Sequence, residues 1–190
     1  MRLQERIKSL WRNLLMEKEN ATYKYGCVMI TVDISDDKWE EIQGLIDDKD
    51  IHEGDQYGRE DNPHVTILYG LHNDIEDQEV EELIKQFKPI KVTLDKVGIF
   101  PGKDYDVVKF ELNDKNLNKY NGILKNNVVY TNDFPDYKAH LTIAYVTSGK
   151  GKEISDLINK ELEPMEFECN EIEYSKANKE KKYIKLTKGE

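Results

Sequence analysis

The sequence has little that would support redox, metal or membrane chemistry. Its two cysteines, Cys27 and Cys169, stand far apart in apolar stretches. They lack the spacing of a redox pair or a metal knuckle and read as buried free thiols of a reducing cytosol. There are four histidines, but no His-x-His, no His-Glu-x-x-His and no P-loop. No apolar run approaches the ~18 residues of a membrane span. The first residues carry charges throughout instead of the apolar core of a signal peptide. These absences point to a cytoplasmic chain that uses no metal or other cofactor and has no membrane partner. No run is long enough for an interdomain linker, so the 190 residues are expected to share one body.

Charge narrows the partners further. The formal net charge is −10, which argues against broad binding to duplex nucleic acid. The acidity sits in the middle of the chain. The segment 175–190 holds six lysines against two glutamates, and the first twenty residues hold five basic groups against three acidic ones. Local positive potential could still steer a phosphate, although most of these lysines read as solvated faces.

Against this background two stretches are nearly alike: Pro63-His64-Val65-Thr66-Ile67-Leu68-Tyr69 and Ala139-His140-Leu141-Thr142-Ile143-Ala144-Tyr145. Side chains alternate along a strand, so His64 and Thr66 share one face, as do His140 and Thr142. Val65, Ile67, Leu141 and Ile143 then face a core. Two imidazoles on one cleft provide a general acid and a general base near neutral pH. Threonine hydroxyls beside them can hold non-bridging phosphate oxygens and orient phosphorus between the bases. Near-symmetry hides which histidine is the acid. Tyr69 and Tyr145 follow their histidines by five residues, an odd spacing that sends them to the opposite face, as core or rim. His52 and His72 read as surface residues.

Elsewhere, Leu3, Ile7, Leu10, Trp11, Leu14 and Leu15 recur at helical spacing. Residues 1–20 are thus an amphipathic helix, packed on the body's own surface, forming a homodimer contact or lying on a membrane surface, the last disfavoured by its small excess of positive charge. Strands are expected at 25–33, 64–69, 90–99, 106–112, 139–146, 165–174 and 182–187. Helices are expected at 36–47, 77–87, 114–126 and 152–160. Residues 49–62 are a polar loop. The segment 174–179 is either a lid hairpin or an exposed turn. Periodicity alone gives an α+β class.

The doubled motif resembles the 2H phosphoesterase superfamily, named for two His-x-Thr or His-x-Ser motifs. A further match is Val97-Gly98-Ile99-Phe100-Pro101 followed by Val107-Val108-Lys109-Phe110-Glu111-Leu112. The likeness runs from about Tyr25 to the last strand. It implies two pseudo-symmetric lobes over residues 21–190, antiparallel sheets forming a concave cleft, helices outside, and metal-independent phosphodiester cleavage by His64, Thr66, His140 and Thr142. The opening Thr22-Tyr23-Lys24-Tyr25-Gly26-Cys27-Val28-Met29 resembles phage enzymes that cut the 3′–5′ bonds of cyclic di- and trinucleotides of bacterial CBASS immunity. That likeness implies a cyclic oligonucleotide, or another small phosphodiester, as the partner. Tyr23, Tyr25, Tyr57, Phe100 and Tyr137 are candidates for stacking on bases, and Lys24, Arg59 and Lys138 for contacting phosphate or base. Alternatives are a 2H enzyme for 2′,5′-oligoadenylate, RNA ends or small cyclic phosphates, and a nucleotide-binding sponge without turnover.

Overall fold

The computed structural model describes residues 25–52, 54, 58–134 and 136–188. The amphipathic helix expected over residues 1–20, together with Tyr23, Lys24 and Tyr57, lies outside the described residues. Nine strands are formed among those described: β1 (Tyr25–Thr31), β2 (His64–His72), β3 (Ile90–Leu94), β4 (Val97–Phe100), β5 (Tyr105–Glu111), β6 (His140–Thr147), β7 (Met165–Cys169), β8 (Glu171–Ser175) and β9 (Lys181–Lys185). Four α-helices accompany them: α1 (Asp36–Gly44), α2 (Asp77–Ile84), α3 (Lys115–Lys125) and α4 (Gly151–Glu161). None of the described helices is long and apolar enough to cross a membrane.

The architecture is α+β and built on one antiparallel sheet of seven strands, in the order β4-β5-β6-β2-β1-β8-β9. β3 and β7 form a second, two-stranded sheet. Two stretches expected as single strands are each split between the sheets. The chain leaves β3 and enters β4 across Asp95 and Lys96, and it leaves β7 and enters β8 across Asn170. Polar residues at these two positions mark the crossing points.

The sheet is two halves joined at a narrow seam. β5 and β6 pair along seven positions, and so do β1 and β2. Between β2 and β6 the register holds a single pair, Val65 opposite Leu141. Beyond that rung each strand takes a different neighbour. Leu71 bridges to Tyr130, and Thr131 N–H donates to Gly70 O at 2.9 Å. On the other side Ile51 and Arg59 bridge to Val146 and Ala144. The two histidine strands therefore part after one rung, and segments from elsewhere fill the wedges. Gly70 shows how closely the filler approaches. Its φ is +94°, and a Cβ there would stand 1.8 Å from Thr131 O.

One sheet face is the core, with Val28, Ile30, Val65, Ile67, Val108, Phe110, Leu141 and Ile143 buried on it. The helices cover this face with apolar stripes at helical spacing, such as Leu117, Tyr120 and Leu124 on α3. α3 starts where the Asp114 carboxylate accepts from the N–H groups of Asn116 and Leu117. Support is exchanged between the halves. Gln43 of α1 donates to Ile143 O on β6, and Asn121 of α3 donates to Ile67 O on β2. Each histidine strand thus rests on the helix that precedes the other one in the chain, α1 supporting β6 and α3 supporting β2. The opposite face of the sheet is left open over the seam, and there the site forms.

Candidate active site

β2 and β6 lie side by side, so the two His-x-Thr pairs meet. Val65 and Leu141 are fully buried, while His64, Thr66, His140 and Thr142 are half-buried on the open face. Extending the Val65–Leu141 rung by one residue each way sets His64 opposite Thr142 and Thr66 opposite His140. The two histidines are then diagonal neighbours, near enough for the charge of His64 to be felt at His140.

Both rings are oriented in the same way. His64 Nδ1 lies 2.7 Å from Asn62 O, and His140 Nδ1 lies 2.7 Å from Lys138 O. A carbonyl can only accept, so each Nδ1 carries a proton and each Nε2 is left for chemistry. A neutral ring then offers Nε2 as a base, and a protonated ring offers it as an acid.

The surroundings of the two rings differ. His64 has the Glu60 carboxylate 3.8 Å from Nδ1. His140 and Phe100 pack nearly perpendicular to each other, with ring centroids 4.9 Å apart. Burial holds His140 below the ordinary histidine value; the Lys138 carbonyl opposes this, and the charges of Lys109 and His64 add to the depression. Lys109 lies opposite Thr142 on β5, its side chain 5% exposed and its Nζ 4.3 Å from the centre of the Phe100 ring. It was not among the candidates from sequence, although a lysine between Val108 and Phe110 in an apolar strand was the available signal.

Tyr69 and Tyr145 were expected on the opposite face, and the structure corrects this. On β2 the register passes from Met29–Thr66 to Val28–Leu68, leaving Ile67 unpaired. On β6 it passes from Lys109–Thr142 to Val108–Ala144, leaving Ile143 unpaired. These are matched β-bulges three residues after each histidine, and each reverses the in-out phase of its strand. Tyr69 therefore emerges beside Tyr25, ring centroids 6.2 Å apart, and is 51% exposed. Tyr145 meets Tyr105 at 5.4 Å. Because β2 and β6 are antiparallel, the two tyrosine pairs flank the His/Thr quartet at opposite ends.

Of the other candidates, Tyr25 and Phe100 are brought to this face. Arg59 is not available to substrate: its guanidinium donates to Gln43 O, Ile46 O and the Asp48 carboxylate, and so closes the C-terminal end of α1. Tyr137 is committed to structure as well. Its hydroxyl donates to Thr66 O at 3.0 Å and its ring packs on the core. Lys138 is exposed, and it is its carbonyl that serves the site, through His140. His72, expected at the surface, is 7% exposed, with Nε2 2.8 Å from Thr131 Oγ1. His52 packs on Tyr105 at 5.2 Å. Segment 176–180 is the turn of the β8–β9 hairpin, with Lys176 paired to Asp77 and Glu180. Cys169 is buried and Cys27 half-buried, and burial pushes both thiols up to about 12.

The sequence matches the family model of the 2′-5′ RNA ligase superfamily over residues 29–180. Among solved structures, Usb1 from Kluyveromyces marxianus is similar with a TM-score of 0.56 at 12% identity, over 86% of this chain and 98% of that one. The same protein with uridine monophosphate gives 0.56 at 14% identity, over 86% and 98%. E. coli LigT complexed with 3′-AMP gives 0.51 at 14% identity, over 86% and 96%. At these identities the likeness is one of fold. No curated protein matches the sequence.

Proposed function

The chain belongs to the 2′-5′ RNA ligase superfamily and is a phosphodiesterase of the 2H type; from this premise we propose that it cuts the 3′–5′ bonds of cyclic di- or trinucleotides without a metal. His64, Thr66, His140 and Thr142 carry the reaction. One imidazole takes the proton of the ribose 2′-hydroxyl as that oxygen attacks phosphorus. The other delivers a proton to the departing 5′-oxygen, and a 2′,3′-cyclic phosphate is left. Each transfer is worth ~10²–10⁴ in rate. Thr66 and Thr142 donate to the non-bridging oxygens and hold phosphorus in line.

The observation that carries this reading is the His/Thr quartet flanked by Tyr25–Tyr69 at one end and Tyr105–Tyr145 at the other. A ligand with a phosphodiester at the centre and a base on either side fits that layout, and each stacked base contributes about 1–3 kcal/mol. The net charge of −10 favours a small ligand over a long polyanion. In this reading the activity belongs to phage evasion of CBASS immunity in the bacterial cytoplasm.

A second reading is favoured by the similar structures, which are described with uridine monophosphate and 3′-AMP. It is cleavage of 2′,5′-oligoadenylate, RNA ends or small cyclic phosphates by the same residues. Incubation with cyclic di- and trinucleotides, 2′,5′-oligoadenylates and short RNAs in EDTA, with products identified by mass spectrometry, separates the two. Turnover of cyclic 3′–5′ ligands is expected. Cleavage confined to linear 2′,5′ bonds or RNA ends would replace the first reading with the second. Tight calorimetric binding of a ligand that is recovered intact would make the protein a sponge.

A further inference from the structure

The two halves repeat each other in register around the site, but the strands beside it differ: Thr31 lies opposite His64 where Glu111 lies opposite His140, and the positions opposite the threonines differ in charge. On β1 the residue paired with Thr66 is Met29, and on β5 the residue paired with Thr142 is Lys109. The same place beside the two threonines thus holds a neutral thioether in one half and an ammonium in the other. The ammonium is held in place from several sides. Its Nζ lies over the Phe100 ring and 3.2 Å from Glu111 Oε1. Glu111 is paired in turn with Lys96 at 2.6 Å, and that ion pair holds its carboxyl below the usual range. Gly98 makes room for this arrangement, since a Cβ there would stand 2.3 Å from Glu111 Oε1.

We propose that Lys109 gives the two-histidine pair its direction: its buried ammonium makes His140 the proton acceptor and leaves His64, beside Glu60, as the proton donor. Lys109 acts through His140 and is a positioning residue. The charged groups around His140 are Lys109 and Glu111 from β5 and His64 from β2. Lys96, from the β3–β4 connection, reaches this group through Glu111, and β4 supplies the neutral Phe100 ring. Glu111 sits opposite His140 in register, but its carboxylate is engaged by two lysines. The excess charge near His140 is therefore positive, and near His64 the adjacent carboxylate is that of Glu60. An acceptor must begin neutral and a donor must begin protonated, which matches these two neighbourhoods.

The inference rests on the two-histidine reading of the site, but its test needs no substrate. The ring signals of ¹⁵N-labelled protein, assigned with His64→Gln and His140→Gln, are followed from about pH 5 to about 8, the histidine range. The His140 midpoint is expected below the ordinary histidine value. In Lys109→Met, which places the β1 residue on β5, the His140 midpoint should rise by about one pH unit. The acidic limb of kcat/KM should move up with it on whichever phosphodiester is turned over, and Lys109→Arg should restore both. Glu111→Gln leaves the lysine in place and removes its counter-charge, so the His140 midpoint should fall; this variant decides the matter if Lys109→Met does not fold. An unmoved His140 midpoint in a folded Lys109→Met protein, or a His140 midpoint above the ordinary histidine value in the wild type, would overturn the proposal. Failure of every nucleotide as substrate would sink the functional reading and leave these titrations standing.

Discussion

Replacing Asn121 with leucine tests whether the bulge after Thr66 is a supported part of the site. Asn121 is 7% exposed and its side-chain N–H donates to Ile67 O at 2.7 Å. Leucine has nearly the same volume, so little cavity arises, but the carbonyl loses this donor in a dry interior. Leaving such a group unpaired costs about 1–3 kcal/mol. For a chain of this size each kcal/mol lowers the melting temperature by roughly 2–4 °C. A fall of about 2–12 °C follows, read by calorimetry or circular dichroism. The pseudo-equivalent Gln43→Leu is the internal control. Gln43 divides its amide between Glu60 O and Ile143 O. Each of these carbonyls keeps a second donor, Trp39 Nε1 at 2.7 Å and Glu60 N–H at 3.0 Å respectively. Gln43→Leu should therefore cost less than Asn121→Leu. Asn121→Leu should also lower kcat/KM, because the bulge sets the phase that brings Tyr69 onto the open face. An unchanged melting temperature in Asn121→Leu, or a larger loss in Gln43→Leu, would refute this account of the bulge.

His64→Ala and His140→Ala should each reduce phosphodiester turnover by ~10²–10⁴ without unfolding the protein, and wild-type rates in either would defeat the acid–base assignment. Burial holds both His72 and His140 below the ordinary histidine value of 6.5. The unfolded chain then takes up these protons first, so stability is full above about pH 6.5 and declines as pH falls below it. Melting temperatures that rise on mild acidification would contradict this. Asp106→Ala should destabilise by about 3 kcal/mol or more, since its carboxylate accepts from the N–H groups of Gly102, Gly149 and Gly151. Denaturant titration measures it, and a loss within experimental error would show that the 101–104 and 148–151 turns hold without it.

What could be read from sequence was what depends on short-range alternation. His64 with Thr66 and His140 with Thr142 share a face because no irregularity falls between them. The alternation fails one residue later, at Ile67 and Ile143, because a bulge adds a residue that parity cannot anticipate. That single fact misplaced Tyr69 and Tyr145. Helices announced by caps and periodicity, such as α3 after Asp114, came out nearly at their expected bounds. Long strands did not, since the switch from one sheet to the other at Asp95–Lys96 and at Asn170 depends on tertiary pairing. Arg59 has the chemistry of a phosphate contact, and only the fold shows its guanidinium spent on helix carbonyls. Lys109 was overlooked for the opposite reason: Phe100 and His140 lie on neighbouring strands, and its position in an apolar run gave no hint of which ring it would face.

Each histidine is aimed by a main-chain oxygen, that of Asn62 or of Lys138, and no amino-acid replacement deletes such an atom. In many enzymes the orienting partner is a carboxylate side chain, which mutation can remove. Here the stretches leading into β2 and β6 are free to drift in composition while both imidazoles keep their tautomer. A scaffold of this kind can exchange its ligand-selecting loops during evolution and retain the same proton chemistry at the centre.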